Sequence, residues 1–187
     1  MTPEVVEALA PQAVVLAMGS APFTPGIPGI DGDRVVLAAE VLRGRALVGD
    51  RVVVIGGEMV GCETADFLAE KGRKVTVVRR WEGFATRISP TNRQALLERL
   101  ARNGVELVGG AIYERITPQG LIIRDREGRK RLLHADTIVI AAGARSQDGL
   151  AQALEGKVPQ LYRVGDCVEP RTIQEAMAEA YTTALGL

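Results

Sequence analysis

The sequence predicts an α/β fold: a parallel sheet wound with helices, with an antiparallel meander inserted in one crossover. Three observations carry this. Arg51-Val52-Val53-Val54-Ile55 and Val75-Thr76-Val77-Val78 are apolar runs of strand length that flank a helical pattern, so together they describe a βαβ unit. Residues 105–108 and 137–141 are further short apolar runs of the same kind. Between them, residues 111–134 change to short alternating segments joined by Pro118-Gln119-Gly120 and Glu127-Gly128, the pattern of a meander.

Taken in order, residues 4–10 read as a short helix and 13–18 as a buried strand ending at Gly19-Ser20. Pro22, Pro25, Gly26, Pro28, Gly29 and Gly32 make residues 21–32 an extended connector, because prolines this dense exclude a helix or an inner strand. Residues 34–42 suggest one or two helical turns. The helix of the βαβ unit spans about 59–71, with Val60, Thr64, Ala65 and Leu68 on one stripe and Gly72 as its stop. After the 79–87 loop, Ser89 as N-cap and Pro90 at the first helical position open another helix; Leu96, Leu97 and Leu100 form its stripe, and Asn103-Gly104 ends it. Meander strands are expected at 112–116, 121–125 and 131–134. Beyond Gly143 come a short helix near 150–154, a strand at 161–164 and a last helix from Ile173, with Thr172 and Glu175 as its capping box.

Composition narrows the function. The 187 residues carry 23 Lys plus Arg and 23 Asp plus Glu, a formal charge of zero, which argues against a dedicated nucleic-acid or anionic-membrane binder. Hydrophobic residues, at 47%, suffice for a real core, and aromatics, at 4%, are too few for a base-stacking platform. No apolar run reaches the ~18 residues of a membrane span, and no signal-peptide pattern precedes the first element. Cys62 and Cys167 lie far apart without a CxxC pair, so the expected setting is reducing and cytoplasmic. His134 is the single histidine, and no metal site is expected.

The chemistry concentrates in Gly56-Gly57-Glu58-Met59-Val60-Gly61, between strand and helix, where a dinucleotide pyrophosphate would meet the helix N-terminus. Gly56 permits the tight turn and Gly61 lets the helix pack closely on the strand. A glycine-rich string alone is weak evidence; its place inside a Rossmann-like βαβ unit strengthens it. The middle glycine is replaced by Glu58. A carboxylate ~5 Å from a phosphate would cost about 3 kcal/mol at an effective dielectric of ~20. A Glu58 turned to solvent would cost nothing and would suit the first helical turn. At the end of the second strand, where an acid would hold the ribose of NAD, stand Arg79 and Arg80, with Arg87 further along the loop. Guanidinium groups there suit a 2′-phosphate and lean toward NADPH, against the plainer reading of a solvated basic loop.

Residues 55–72 with their flanks resemble the NAD(P)H-binding domain of flavoproteins with two dinucleotide-binding domains, above all the C-terminal half of the 2,4-dienoyl-CoA reductase and NADH:flavin oxidoreductase family. Residues 13–20, ending in Gly19, are similar to that family's segment leaving the FAD domain, with Met18 where Thr is usual. Ile27-Pro28-Gly29-Ile30-Asp31-Gly32 resembles the connector, and 139–145, with Gly143, the strand and turn closing the NAD(P)H domain. Val164-Gly165-Asp166-Cys167 is similar to the late FAD motif, whose Asp contacts the ribityl chain.

The resemblance implies residues 1–44 as FAD-domain remnant and connector, 45–145 as the NAD(P)H-binding domain, and 146–187 as a second FAD-domain remnant. The cofactor-binding set it implies is Gly56, Gly57, Glu58, Met59, Gly61, Arg79, Arg80, Arg87 and Gly143, with Gly19, Gly165 and Asp166 toward FAD. No catalytic residue is assigned: NADPH or NADH would give hydride to FAD in a larger parent. The family's N-terminal FAD and flavin-barrel parts have no counterpart here, so the chain is expected to be a fragment, inactive alone and prone to form a homodimer. The alternative function is a degenerate nucleotide-binding domain with a structural or ADP-binding role. His134 and Cys62 are expected to be structural. Cys167 lies near a helix N-terminus that would favour its thiolate, with packing the plainer reading. Trp81 could cover an adenine or anchor its loop.

Overall fold

A computed structural model describes residues 1–187. The chain runs through α1 (Pro3–Leu9), β1 (Val14–Leu16), β2 (Ser20–Pro22), β3 (Val35–Leu37), α2 (Ala38–Leu42), β4 (Arg51–Ile55), α3 (Met59–Glu70) and β5 (Lys74–Val78). It continues through α4 (Pro90–Arg102), β6 (Glu106–Val108), β7 (Ile112–Thr117), β8 (Gly120–Arg124), β9 (Lys130–His134) and β10 (Thr137–Ile140). Last come β11 (Ala144–Ser146), α5 (Gly149–Leu154), β12 (Leu161–Arg163) and α6 (Ile173–Leu185). Two compact units result: Phe23–Gly143, and Met1–Pro22 together with Ala144–Leu187.

The larger unit is built on a five-stranded parallel sheet in the order β3-β10-β4-β5-β6. Its inner strands are apolar on both faces: Val52, Val53, Val54 and Ile55 of β4 are all buried, because each face is covered. One face packs Cys62, Ala65 and Leu68 of α3 and Leu96 and Leu100 of α4. The other receives Leu121, Ile123 and Leu133 from the meander β7-β8-β9. Thus the predicted Rossmann-like α/β sheet and antiparallel meander are both present, on opposite faces.

Three local features differ from the sequence reading. Residues 34–42 divide into β3 and α2, because Val35, Val36 and Leu37 pair in parallel register with Ile138, Val139 and Ile140. Both elements therefore lie in the sheet's unit, ahead of the division expected after residue 44. Val60 is half exposed; the buried line of α3 is Gly61, Cys62, Thr64, Ala65 and Leu68. The helix meets the sheet through Gly61 in its first turn, while Thr64, Ala65 and Leu68 of the predicted stripe are buried as expected, so Val60 alone departs from it.

The smaller unit holds two strand pairs, β1 with β12 in parallel and β2 with β11 antiparallel. Pro22 is tolerated in β2 because that pair consists of edges alone. The capping box of α6 forms as read: Thr172 Oγ1 accepts from the Gln174 N–H, and Glu175 accepts from the Thr172 N–H at 3.0 Å. No helix is long and apolar enough to cross a membrane.

Candidate nucleotide-binding site

The site in the larger unit begins where β4 ends. Gly56 has φ +117°, and a Cβ on it would lie 2.1 Å from the Ala141 carbonyl oxygen, so only glycine lets the turn approach β10 this closely. A Cβ on Gly61 would lie 2.0 Å from the Gly56 oxygen, which is why α3 can begin directly on the turn. Gly57 is buried, and a side chain there would strike the Phe84 ring at 2.6 Å and the Arg79 Cδ at 2.8 Å. Together these contacts make a close backbone turn leading directly into α3, at the place where the sequence reading expects a pyrophosphate. Met59 opens the helix and is half exposed.

Glu58 is not turned freely to solvent. Its carboxylate turns to the 79–87 loop, where Oε1 accepts from Arg79 Nη2 at 2.8 Å and from Thr86 Oγ1 at 2.8 Å. Oε2 accepts from the backbone N–H groups of Thr86 at 2.9 Å and Arg87 at 3.3 Å. Partial burial pushes the Glu58 carboxyl upward; the Thr86 and Arg79 hydrogen bonds and the guanidinium charge outweigh it, leaving its pKa below the usual range. Ala85 supplies the turn that aims these donors: it has φ 49°, is fully buried, and donates its N–H to the Gly57 oxygen at 2.8 Å.

Arg79 is the buried member of the pair. Its side chain is 9% exposed against 35% for Glu58. It also donates to the Gly57 and Gly83 carbonyls and lies 5.9 Å from the Phe84 ring centre. Arg80 is exposed, with its guanidinium 5.9 Å from the Tyr113 ring, and Arg87 is exposed. Gly143, with φ +106°, is exposed beyond β10 and accepts from the Phe23 N–H. The structure therefore gathers Gly56, Gly57, Glu58, Met59, Gly61 and Arg79 into one constellation. Phe84, Ala85 and Thr86 belong to it without having been read from the sequence. Their one signal was indirect: an acid at 58 and a base at 79, each out of place alone.

In the smaller unit, Gly19 and Gly165 adopt left-handed φ of 72° and 70°. The Gly165 N–H donates to Glu179 at 2.8 Å. Asp166 accepts from Ser20 Oγ and the Arg171 N–H, each at 3.3 Å, and so bridges the two predicted FAD-side segments. Cys167 is buried, its thiol donating to the carbonyls of Leu16 and Val164. Cys62 is buried in the larger unit, where burial pushes its thiol up to about 11. Trp81 and His134 are exposed.

Residues 3–180 match the profile of the family described as pyridine nucleotide-disulphide oxidoreductase. Among curated proteins, the chain is 33% identical to a metal reductase of Desulforamulus reducens over 92% of its own length and 30% of that protein's. It is 39% identical to a bilirubin reductase of Mediterraneibacter gnavus, covering 97% of this chain and 28% of that one. A solved structure of 2-naphthoyl-CoA reductase with 2-naphthoyl-CoA superposes over the whole chain with a TM-score of 0.93 at 29% identity, covering 28% of that protein. The chain thus spans less than a third of the length of each of these relatives.

Proposed function

From the premise that the chain belongs to the pyridine nucleotide-disulphide oxidoreductase family, whose members bind NAD(P)H and FAD, we propose that it is the NAD(P)H-binding portion of a larger flavin-dependent oxidoreductase. The observation that carries this is the Gly56–Gly61 turn, in which two positions that only glycine can fill let β4, β10 and α3 converge. The backbone N–H groups at the start of α3 hold the pyrophosphate, and the helix dipole favours its charge. Arg80 and Arg87, both exposed, add positive charge on the adenosine side. When bound, the nicotinamide supplies a hydride and the flavin accepts it.

This chain's part is to bind and orient. Gly143 closes the far side of the cradle in this reading, and Gly19, Gly165 and Asp166 meet the flavin's ribityl side. The finer placement beside the 2,4-dienoyl-CoA reductase and NADH:flavin oxidoreductase group is supported by the order of motifs across residues 13–167 and by the likeness to a reductase of an acyl-CoA substrate. The partners in this reading are the FAD and flavin-barrel parts of a longer protein, and the isolated chain lacks turnover.

A second reading is favoured by Glu58, the acid at the turn: a domain that binds ADP or no nucleotide and serves packing. Calorimetric titration of the chain with NADH, NADPH and ADP at one low salt concentration separates the two. Dinucleotide binding supports the first, and no binding supports the second. In the complete protein, removal of flavin is expected to abolish NAD(P)H oxidation; an unchanged rate would refute flavin dependence.

A further inference from the structure

Glu58 and Arg79 occupy the two positions where a dinucleotide-binding βαβ unit ordinarily has a small residue and an acid. The structure joins them. Four donors converge on the Glu58 carboxylate: the Arg79 guanidinium, the Thr86 hydroxyl, and the N–H groups of Thr86 and Arg87. Left-handed Ala85 turns the two N–H groups to one side, as in the backbone concavities that hold anions. Arg79 is fixed beneath them by the Gly57 and Gly83 carbonyls and by Phe84, so it cannot swing outward without abandoning those partners. A guanidinium, a hydroxyl and two backbone N–H groups are also the donor set that would receive a phosphate monoester. Here one of the chain's own carboxylates fills it.

Resting on the NAD(P)H-binding reading, in which the residue following β5, Arg79, faces the adenosine ribose, we infer that Glu58 is a built-in occupant of the 2′-phosphate pocket and that the chain therefore selects NADH over NADPH. A 2′-phosphate would find its nearest donors already engaged and would meet a like charge. A 2′-hydroxyl brings no charge to the carboxylate. Arg80 and Arg87 attract phosphate from the other direction. Both are exposed, where solvent and salt screen them, whereas the Arg79 side chain is nine-tenths buried and committed to Glu58. The buried set decides the preference.

The test is titration of the chain, Glu58→Gly and Glu58→Gln with NADH, NADPH, ADP and adenosine 2′,5′-bisphosphate at fixed low ionic strength. The parent is expected to bind NADH about tenfold or more tightly than NADPH, the scale of one charge-assisted hydrogen bond. Glu58→Gly is expected to reverse that order. The bisphosphate should raise the melting temperature of Glu58→Gly while leaving the parent unmoved, since binding to the folded state alone stabilises it. Should Glu58→Gly fail to fold, Glu58→Gln, which keeps the shape and removes the charge, must narrow the preference several-fold. A parent that binds NADPH as tightly as NADH overturns the inference and leaves the nucleotide-binding reading standing. So does a preference for NADH that neither substitution changes. Failure of the parent and both variants to bind ADP or either dinucleotide overturns the reading and the inference together.

Discussion

Gly61→Ala tests whether the turn is built on close approach alone. The residue lies inside α3 and its φ is not in the left-handed region, so an added methyl group brings no backbone strain. It brings collision instead: the new Cβ would lie 2.0 Å from the Gly56 oxygen, 2.8 Å from the Gly56 carbonyl carbon and 3.4 Å from the Ala141 Cβ. Restoring ordinary contact requires α3 to withdraw from the turn by about 1 Å or more. Cys62 and Ala65, both without solvent exposure, would lose packing on the sheet as it did so. One extra methylene in a packed core costs about 1–3 kcal/mol; here the opposing atoms are backbone, which cannot rotate away, so the upper end, about 3 kcal/mol, is expected. For a chain of 187 residues that corresponds to a fall in Tm of about 6–12 °C. Affinity for ADP should fall in the same protein, because the helix end that holds the phosphate has moved. Gly26→Ala is the control, since a Cβ there meets nothing within 4 Å and its φ is not left-handed; it should be neutral or stabilise by about 0.4–1 kcal/mol. A Gly61→Ala protein that melts within about 2 °C of the parent and binds ADP equally well would refute this account of the turn.

Three further outcomes are expected. Asp136 accepts from Arg51 through its side chain and backbone N–H, which hold its carboxyl down at about 2. Its stabilising contribution is therefore present above the ordinary carboxylate value and lost as pH falls through about 2, so Asp136→Asn should flatten the urea-midpoint profile between about pH 4 and pH 2, and an unaltered profile would contradict this. Native chain treated with iodoacetamide near pH 8 should show neither Cys62 nor Cys167 modified by mass spectrometry, with both reacting in denaturant; labelling of folded Cys167 would defeat the packing assignment. Helix α6 exposes Ile173, Met177, Tyr181 and Leu185 at four-residue spacing, so light scattering should show mass rising with concentration, and Met177→Glu should reduce it; a clean monomer at high concentration would count against self-association.

Much of the larger unit was legible because its signals are local. The apolar run 51–55, the glycine turn and the stop at Gly72 each act within a few residues, and β4, α3 and β5 lie where they point. What escaped depends on pairing across distance. Nothing near Val35 says that β10, about a hundred residues later, will align Ile138 beside it; once aligned, that pairing overrides a weak helical tendency in residues 34–37. The β2–β11 pair joins Ser20 to Ser146 in the same way, through residues with little strand character of their own.

The pairing of Glu58 with Arg79 escaped for a related reason, although both residues were read as part of the site. Read one at a time against the dinucleotide-binding pattern, Glu58 and Arg79 are two anomalies that point in opposite directions: an acid that should repel a phosphate and a base that should attract one. Each judgement treats the residue as facing the ligand alone. At 2.8 Å from one another they are a single neutral unit whose charges are spent internally, with Gly57 left bare so that Arg79 and Phe84 can pass beneath it. A substitution at either position then changes the other's availability before it changes any contact with nucleotide. Arg79→Ala would remove one of the four donors on Glu58, Glu58→Gly would free the Arg79 guanidinium for a 2′-phosphate, and the gain in NADPH affinity from Glu58→Gly should shrink when Arg79 is also replaced, as coupled neighbours do. The sign of that non-additivity in NADPH affinity distinguishes a clamp from two independent surface charges, and it is positional chemistry that no reading of either residue by itself contains.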